Sequence, residues 1–182
     1  LAMVFVPHLM MSLELYNVAT MYDLELRVTG SRLLAAGKNP YFYIWQVGDA
    51  VEFYNPNLKL HSPANGVTST PFTLWLQQNF AANTYCFIRK CWWIIQEILL
   101  FTSVLFCWLL PSTRAKQFVV MALTSVFFLF SCNWWLHVYN GQMYILYTFV
   151  FSISTYIVLV KKRRDFLFVV YPLIALLRPF YA

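Results

Sequence analysis

Charged residues are scarce in this sequence. Asp, Glu, Lys and Arg make up 11% of its 182 residues, whereas 60% of the residues are hydrophobic and 20% are aromatic. Because a soluble globular domain usually carries about 25% charged residues, this composition argues against an ordinary soluble enzyme. The mean hydropathy of +0.59 predicts instead a multi-pass protein of the cell membrane.

Acidic residues and cysteines are also few. The chain has 7 acidic against 13 basic residues, and so a formal net charge of +6. In a membrane protein this excess predicts cytoplasmic loops and contacts with membrane lipids, and we expect no nucleic-acid partner. The 4 cysteines show no CxxC or Cys/His ligand spacing, and HExxH and phosphate-loop motifs are lacking. The sequence therefore predicts no metal site and no cofactor.

Long apolar runs dominate what is present. We predict an all-α polytopic membrane protein in which residues 1–182 form a single transmembrane domain, with spans over 91–110, 117–136, 143–160 and 166–182. Each run approaches the roughly 20 helical residues that cross a hydrocarbon core. Because the chain opens inside an apolar run without Met and stops just after another, we expect it to be a piece of a longer protein.

The charges of the short loops predict the orientation. "PSTRAK" and "KKRRD" are basic, whereas "HVYNGQ" contains neither Lys nor Arg. Basic short loops face the cytoplasm, so the uncharged loop faces outward. By alternation, the segment 14–90 is a long extracytoplasmic loop.

That outer loop contains two predicted interfacial helices, over 23–37 and 72–80. In the first, Asp23 is placed to act as N-cap and Gly37 as the C-terminal stop. The apolar remainder of this helix suits a membrane interface better than water. Its predicted polar stripe consists of Glu25, Thr29 and Arg32.

The positions of Asp23 and Arg178 make them candidate functional residues. Asp23 near the outer face is a candidate general base for a hydroxyl, or alternatively an N-cap or the i, i+4 partner of Arg27. Arg178 lies in the outer half of the last apolar run, where a cation needs an anionic partner. That partner is either a lipid phosphate or an acid elsewhere, unless the side chain snorkels outward.

Glu97 and His137 are weaker candidates for functional residues. Glu97, inside the predicted span 91–110, is either a functional acid or the partner of Arg89 or Lys90 in a structural ion pair. His137 begins the uncharged loop, where a single histidine is most simply an interfacial polar residue.

Several short motifs follow one another along nearly the whole chain. They are an acid ahead of "AAGKNPY", the "GKNPY" stretch itself, a later "YNP", an "NGQ" turn after one apolar run and "RP" after another. This pattern resembles glycosyltransferase family 87, which is typified by the polyprenyl-phosphate-mannose-dependent mannosyltransferases of phosphatidylinositol mannosides.

The resemblance implies a GT-C-like bundle of transmembrane helices and an inverting hexosyltransferase. The enzyme would move a hexose, mannose in typical members, from a polyprenyl-phosphate donor to a lipid or glycan hydroxyl on the outer face. Asp23 would be the catalytic base, and no metal is required because lipid phosphate is already a good leaving group. The other implied site residues are the donor-phosphate ligands Arg178, Gln142 and His137 and the substrate contacts Asn39, Tyr41 and Tyr54.

Two other classes of protein stay open from the sequence. One is a transporter or flippase for a lipid-linked saccharide, because intramembrane Arg and Glu residues are common in transporters. The acidic cluster in an outer loop and the lack of Gly/Pro-broken helix pairs argue against it. The other is an accessory subunit of an envelope assembly.

Overall fold

The computed structural model describes residues 2–54, 67–110, 113–170 and 172. Over these residues the secondary structure is entirely helical, so the all-α prediction is confirmed. Two short 3₁₀ turns cover Val51–Phe53 and Arg164–Phe166. The seven α-helices that the structure delimits there are α1 (Ala2–Val18), α2 (Tyr22–Ala35), α3 (Pro71–Ala81), α4 (Tyr85–Leu109), α5 (Arg114–Phe130), α6 (Cys132–Asn140) and α7 (Tyr144–Val160).

The chain divides into two compact units. Unit one comprises Leu1–Thr20 with Trp92–Tyr171, and unit two comprises Met21–Cys91 with Pro172–Ala182. In unit one, α1 packs against α5 and α6. The buried core there consists of Phe5, Leu100, Val104, Trp134, Val138 and Ile145.

Unit two is built on the pairing of α2 with α3. Gly30 makes a close approach possible, because a Cβ atom there would lie 3.1 Å from Cγ1 of Val67 and 3.2 Å from Cδ2 of Leu74. Leu24, Leu33 and Leu74 are buried. The helices predicted over 23–37 and 72–80 are present as α2 and α3, which differ from the predicted bounds by one or two residues at each end.

Glycine ends two of the helices, as their sequences suggest. Gly37 follows α2 with φ +70°, and the N–H of Lys38 donates to the carbonyl of Leu33 at 2.9 Å. Gly141 follows α6 with φ +67°, and the N–H of Gln142 donates to the carbonyl of His137 at 3.1 Å. Both turns satisfy carbonyls that a helix end leaves without partners.

The helix predicted over 117–136 is in fact two helices. Ser131 adopts extended backbone angles, and its hydroxyl accepts a hydrogen bond from the N–H of Trp134 at 3.3 Å, which caps α6. A side-chain cap of this kind competes with continuation of the preceding helix. The axis bends by 61° at this break.

Helix α4 is long and apolar enough to cross a membrane. A second span results only if the bent pair Arg114–Phe127 and Cys132–Asn140 counts as one, and Tyr144–Val160 is a shorter apolar helix. These statements rest on length and composition within the described ranges. The multi-pass arrangement stays a prediction.

Candidate functional site

Helix α2 begins at a strained backbone turn. Met21, the residue before the helix, has φ 50° and ψ 49°, a left-handed conformation that non-glycine residues rarely adopt. Its side chain is fully buried. Its carbonyl accepts hydrogen bonds from the N–H of Glu25 at 3.0 Å and from the hydroxyl of Tyr85 at 3.3 Å. These contacts fix the position of the first turn of α2.

Asp23 lies in this first turn and is half-buried. The prediction that it caps the helix is wrong, because α2 already begins at Tyr22 and Met21 occupies the cap position. The predicted pairing with Arg27 is also wrong. Among the described residues the Asp23 carboxylate has no hydrogen-bond or ion-pair partner. A negative charge is favoured in a first helical turn, which suits an acidic residue at this position.

The polar stripe predicted on α2 is only partly exposed. Thr29 is buried, because α2 packs against α3. The Arg32 guanidinium is used structurally: its Nε donates to the carbonyl of Ala81 and its Nη2 to that of Asn83, both at 2.8 Å. Partial burial lowers the pKa of Arg32, and Glu52 opposes that shift. This side chain secures the C-terminal end of α3 and is not free for an anionic ligand.

The predicted substrate contacts Asn39, Tyr41 and Tyr54 lie in the segment after α2. Oδ1 of Asn39 accepts from the N–H of Tyr41 at 3.0 Å, which forms an Asx turn. The hydroxyl of Tyr41 donates to the carbonyl of Ser69 at 2.6 Å. Tyr54 packs edge-on against Trp45, with ring centroids 5.0 Å apart, and is exposed. Asn39 and Tyr41 thus have structural roles, while the exposed Tyr54 ring is open to a ligand.

A polar cluster stabilises the same segment. The hydroxyl of Tyr43 donates to Oδ2 of Asp49 at 2.5 Å, and the N–H of Gln46 donates to the same oxygen at 3.0 Å. Nζ of Lys38 lies 3.9 Å from Oδ1 of Asp49. The two hydrogen bonds hold the pKa of Asp49 below its usual range. This carboxylate is therefore a structural acceptor and a poor candidate for a base.

Unit one contains a cavity of about 720 Å³ between helices α4 to α7. The lining hydroxyls of Ser103, Thr148 and Ser152 donate to carbonyls of their own helices, so their protons are already used. The walls are otherwise mainly apolar. Those apolar side chains include Leu100, Val104, Leu123, Phe127 and Ile145.

His137 and Gln142 line this cavity together. The prediction that His137 begins a loop is wrong, because it lies inside α6 and is buried. Its ring stacks on Trp134, with centroids 5.3 Å apart and planes at 19°. Within the described residues the side-chain amide of Gln142 makes no hydrogen bond. The side-chain amide of Asn133, which also lines the cavity, likewise makes no hydrogen bond within the described residues.

The turn that carries Gln142 is tied to α4. Nε1 of Trp92 donates to the carbonyl of Gly141 at 3.1 Å, and Trp92 is buried. Trp92 thus holds the carbonyl of the left-handed Gly141, and the next residue, Gln142, lines the cavity. Two residues predicted as donor-phosphate ligands are thus adjacent, whereas the third, Arg178, lies outside the described residues.

Glu97 is buried in unit one and belongs to a polar cluster. Its partners are the hydroxyl of Ser12, which donates to Oε1, and the His8 ring, whose Nε2 lies 3.1 Å from Oε2. The predicted ion pair with Arg89 or Lys90 is wrong. The Ser12 hydroxyl also accepts a hydrogen bond from Nε1 of Trp93 at 2.9 Å.

This cluster was not predicted from the sequence. His8 and Ser12 lie one helical turn apart on α1, so an i, i+4 polar pair within an apolar helix was the available signal. Their partner is 89 residues away from His8, and no local pattern predicts that contact. In the described part of the chain, no three His, Cys, Asp or Glu side chains are grouped to hold a metal ion.

Comparison of the chain with protein-family models, with curated proteins and with solved structures finds no match.

Proposed function

We propose that this chain is part of a membrane glycosyltransferase of GT-C type. Its donor is a polyprenyl-phosphate hexose, and its acceptor is a lipid or glycan hydroxyl at the outer face of the cell membrane. The cavity of unit one carries this proposal, because its walls are mainly apolar and the Gln142 side-chain amide there makes no hydrogen bond within the described residues. An apolar chain with a single anionic head requires that combination.

The resemblance to glycosyltransferase family 87 supplies the base, Asp23 of unit two. In the reaction that this resemblance implies, the Asp23 carboxylate takes the proton from the acceptor hydroxyl while the hydroxyl oxygen attacks the anomeric carbon. The bond from that carbon to the phosphate oxygen breaks, and polyprenyl phosphate leaves with the electron pair. Attack opposite the leaving group inverts the anomeric centre. The proton stays on the Asp23 carboxylate until solvent removes it.

Apolar surface supports a membrane setting. On α5, Phe118 is 67% exposed, Leu123 66% and Phe130 78%, whereas soluble proteins rarely expose such continuous apolar faces. Arg114 and Lys116 lie in the first turn of this helix, and four basic residues follow α7 at 161–164, as expected for segments that meet lipid phosphates.

The decisive test is Asp23→Asn in the full-length protein. Sugar transfer from a polyprenyl-phosphate hexose should fall by about 10²-fold or more, since general-base catalysis typically contributes 10²–10⁴-fold. Asp165→Asn is the matched control, because Asp165 is exposed and pairs only with the nearby Arg163 among the described residues. Wild-type transfer by the Asp23→Asn protein would remove Asp23 as the base.

A transporter or flippase for a lipid-linked saccharide is the second candidate. The observation that favours it is the buried pairing of Glu97 with His8, because intramembrane carboxylates and histidines form proton relays in transporters. Reconstitution in vesicles with a fluorescent polyprenyl-linked sugar separates the two proposals. An enzyme transfers the sugar to an acceptor, whereas a flippase moves the intact lipid between leaflets without cleaving it.

A further inference from the structure

We propose that Glu97, His8 and Ser12 are positioning residues for the polar end of the cavity in unit one. None of the three lines the cavity. They act through the ring of Trp134, which contacts both His8 and the cavity-lining His137. The identity of the cavity's ligand rests on the function proposed above, but the positioning role does not.

All three side chains are buried. His8 is 1% exposed, Ser12 0% and Glu97 6%, in the unit that also contains the buried apolar cluster of Phe5, Leu100 and Trp134. Burying a carboxylate in such surroundings is costly unless hydrogen bonds compensate. Stability alone is a weak reason for such a group, because a well-packed apolar replacement is often neutral or stabilising.

Hydrogen bonds orient the ring of His8. Glu97 holds Nε2 of the ring at 3.1 Å, and the hydroxyl of Ser12 holds the other carboxylate oxygen. Because Trp93 donates to Ser12 at 2.9 Å, Ser12 is itself fixed from α4. The His8 ring therefore has one defined plane.

Aromatic contacts link His8 to α6. Its ring centroid lies 5.4 Å from that of Trp135, with planes at 25°, and 5.9 Å from that of Trp134. Trp134 also stacks against His137, with ring centroids 5.3 Å apart, and the His137 centroid lies 6.0 Å from that of Tyr144. Packed aromatic rings leave little room for independent rotation. The plane of His8 thus determines where the imidazole of His137 faces the cavity.

The experiment reads His137 directly. The chain contains 3 histidines, so labelling the imidazole nitrogens and carbons of the full-length protein in micelles gives few NMR signals. Each signal is assigned by a His→Gln variant. In Glu97→Gln, which keeps the side-chain shape and removes the charge, the His137 ring signals should shift. If they coincide with those of the wild type while the His8 signals move, the proposal is overturned.

Two controls separate positioning from general destabilisation. Glu14→Gln makes the same change on an exposed position of α1 and should leave the His137 signals in place. Val170→Ala removes buried apolar volume in unit one outside the main core. It should lower the unfolding temperature without shifting His137. A His137 shift in Val170→Ala as large as that in Glu97→Gln would also overturn the proposal.

A second variant keeps the test decisive if Glu97→Gln does not fold. The double change His8→Phe/Glu97→Leu replaces the pair by apolar side chains of similar size, which buried pairs often tolerate. It should fold, shift the His137 signals and weaken binding of polyprenyl phosphate about tenfold. Unchanged His137 signals in this variant refute the positioning role. If the wild type binds no polyprenyl phosphate, the proposed function fails, while the NMR signals still decide this inference.

Discussion

The Nε2 atom of His8 lies 3.1 Å from Oε2 of Glu97, a residue 89 positions later in the chain. This contact joins α1 to α4 within unit one and puts a carboxylate and an imidazole inside an apolar core. Removing one member of such a pair leaves the other without its partner.

We therefore predict that Glu97→Ala lowers the free energy of unfolding by about 3 kcal/mol. Both the unpaired His8 ring and the new void contribute to the loss. The measurement is reversible unfolding in mixed micelles, with Glu14→Ala on the exposed face of α1 as control. A loss for Glu97→Ala no larger than that of the control contradicts the prediction.

Gln142→Ala should weaken binding of polyprenyl phosphate about tenfold, which corresponds to about 1.4 kcal/mol. The reason is that its amide faces the cavity without a protein partner among the described residues, so a phosphate oxygen is its natural acceptor. Titration followed by tryptophan fluorescence measures the dissociation constant. Gln46→Ala, which alters an exposed side chain of unit two, should bind as the wild type does.

Gly141→Ala should destabilise the end of α6, because φ is +67° there and a Cβ atom costs about 1–2 kcal/mol in that conformation. Gly141→Asn should cost less, since asparagine tolerates left-handed angles. Hydrogen exchange of the Gln142 N–H, which donates to His137, reports the local loss. Equal protection of the Gln142 N–H in the wild type, Gly141→Ala and Gly141→Asn would show that the turn does not require glycine.

Arg32→Lys should reduce the stability of unit two by about 2 kcal/mol. The lysine ammonium cannot reproduce the guanidinium fork that reaches the carbonyls of Ala81 and Asn83. Denaturant unfolding provides the measurement, and Arg114→Lys at an exposed position is the matched control. Indistinguishable midpoints for the two variants would argue that the fork contributes nothing.

The segment around Asp49 should loosen in acid. Its pKa is held low in the folded chain by the Tyr43 hydroxyl and the Gln46 N–H, so its contribution is present above the unfolded pKa of about 3.9. That contribution is lost as the pH falls through the lower folded value. NMR of the Gln46 N–H, which donates to Asp49, follows the titration. The acid transition should be absent in Asp49→Asn, and its persistence there would assign it to another group.

Local sequence predicted the helices and their glycine ends well. The α2 and α3 helices and the turns at Gly37 and Gly141 agree with the pattern, because propensity and left-handed glycine are properties of a few neighbouring residues. The break at Ser131 was missed, since its hydroxyl can either cap a new helix or remain inside a continuous one.

What the sequence alone determined is an apolar, helical chain with an acid ahead of "GKNPY" and an "NGQ" turn between apolar runs. Composition and hydrophobic periodicity determine those features, because the features depend only on residues that are close in sequence. The tertiary structure decided which polar side chains are already used. Within the described residues it left the Asp23 carboxylate and the Gln142 side-chain amide without protein partners, and it bound Arg32, Tyr41 and Glu97 in internal hydrogen bonds. The physical reason is that a hydrogen bond between residues far apart in the chain depends on packing, which no short stretch of sequence encodes.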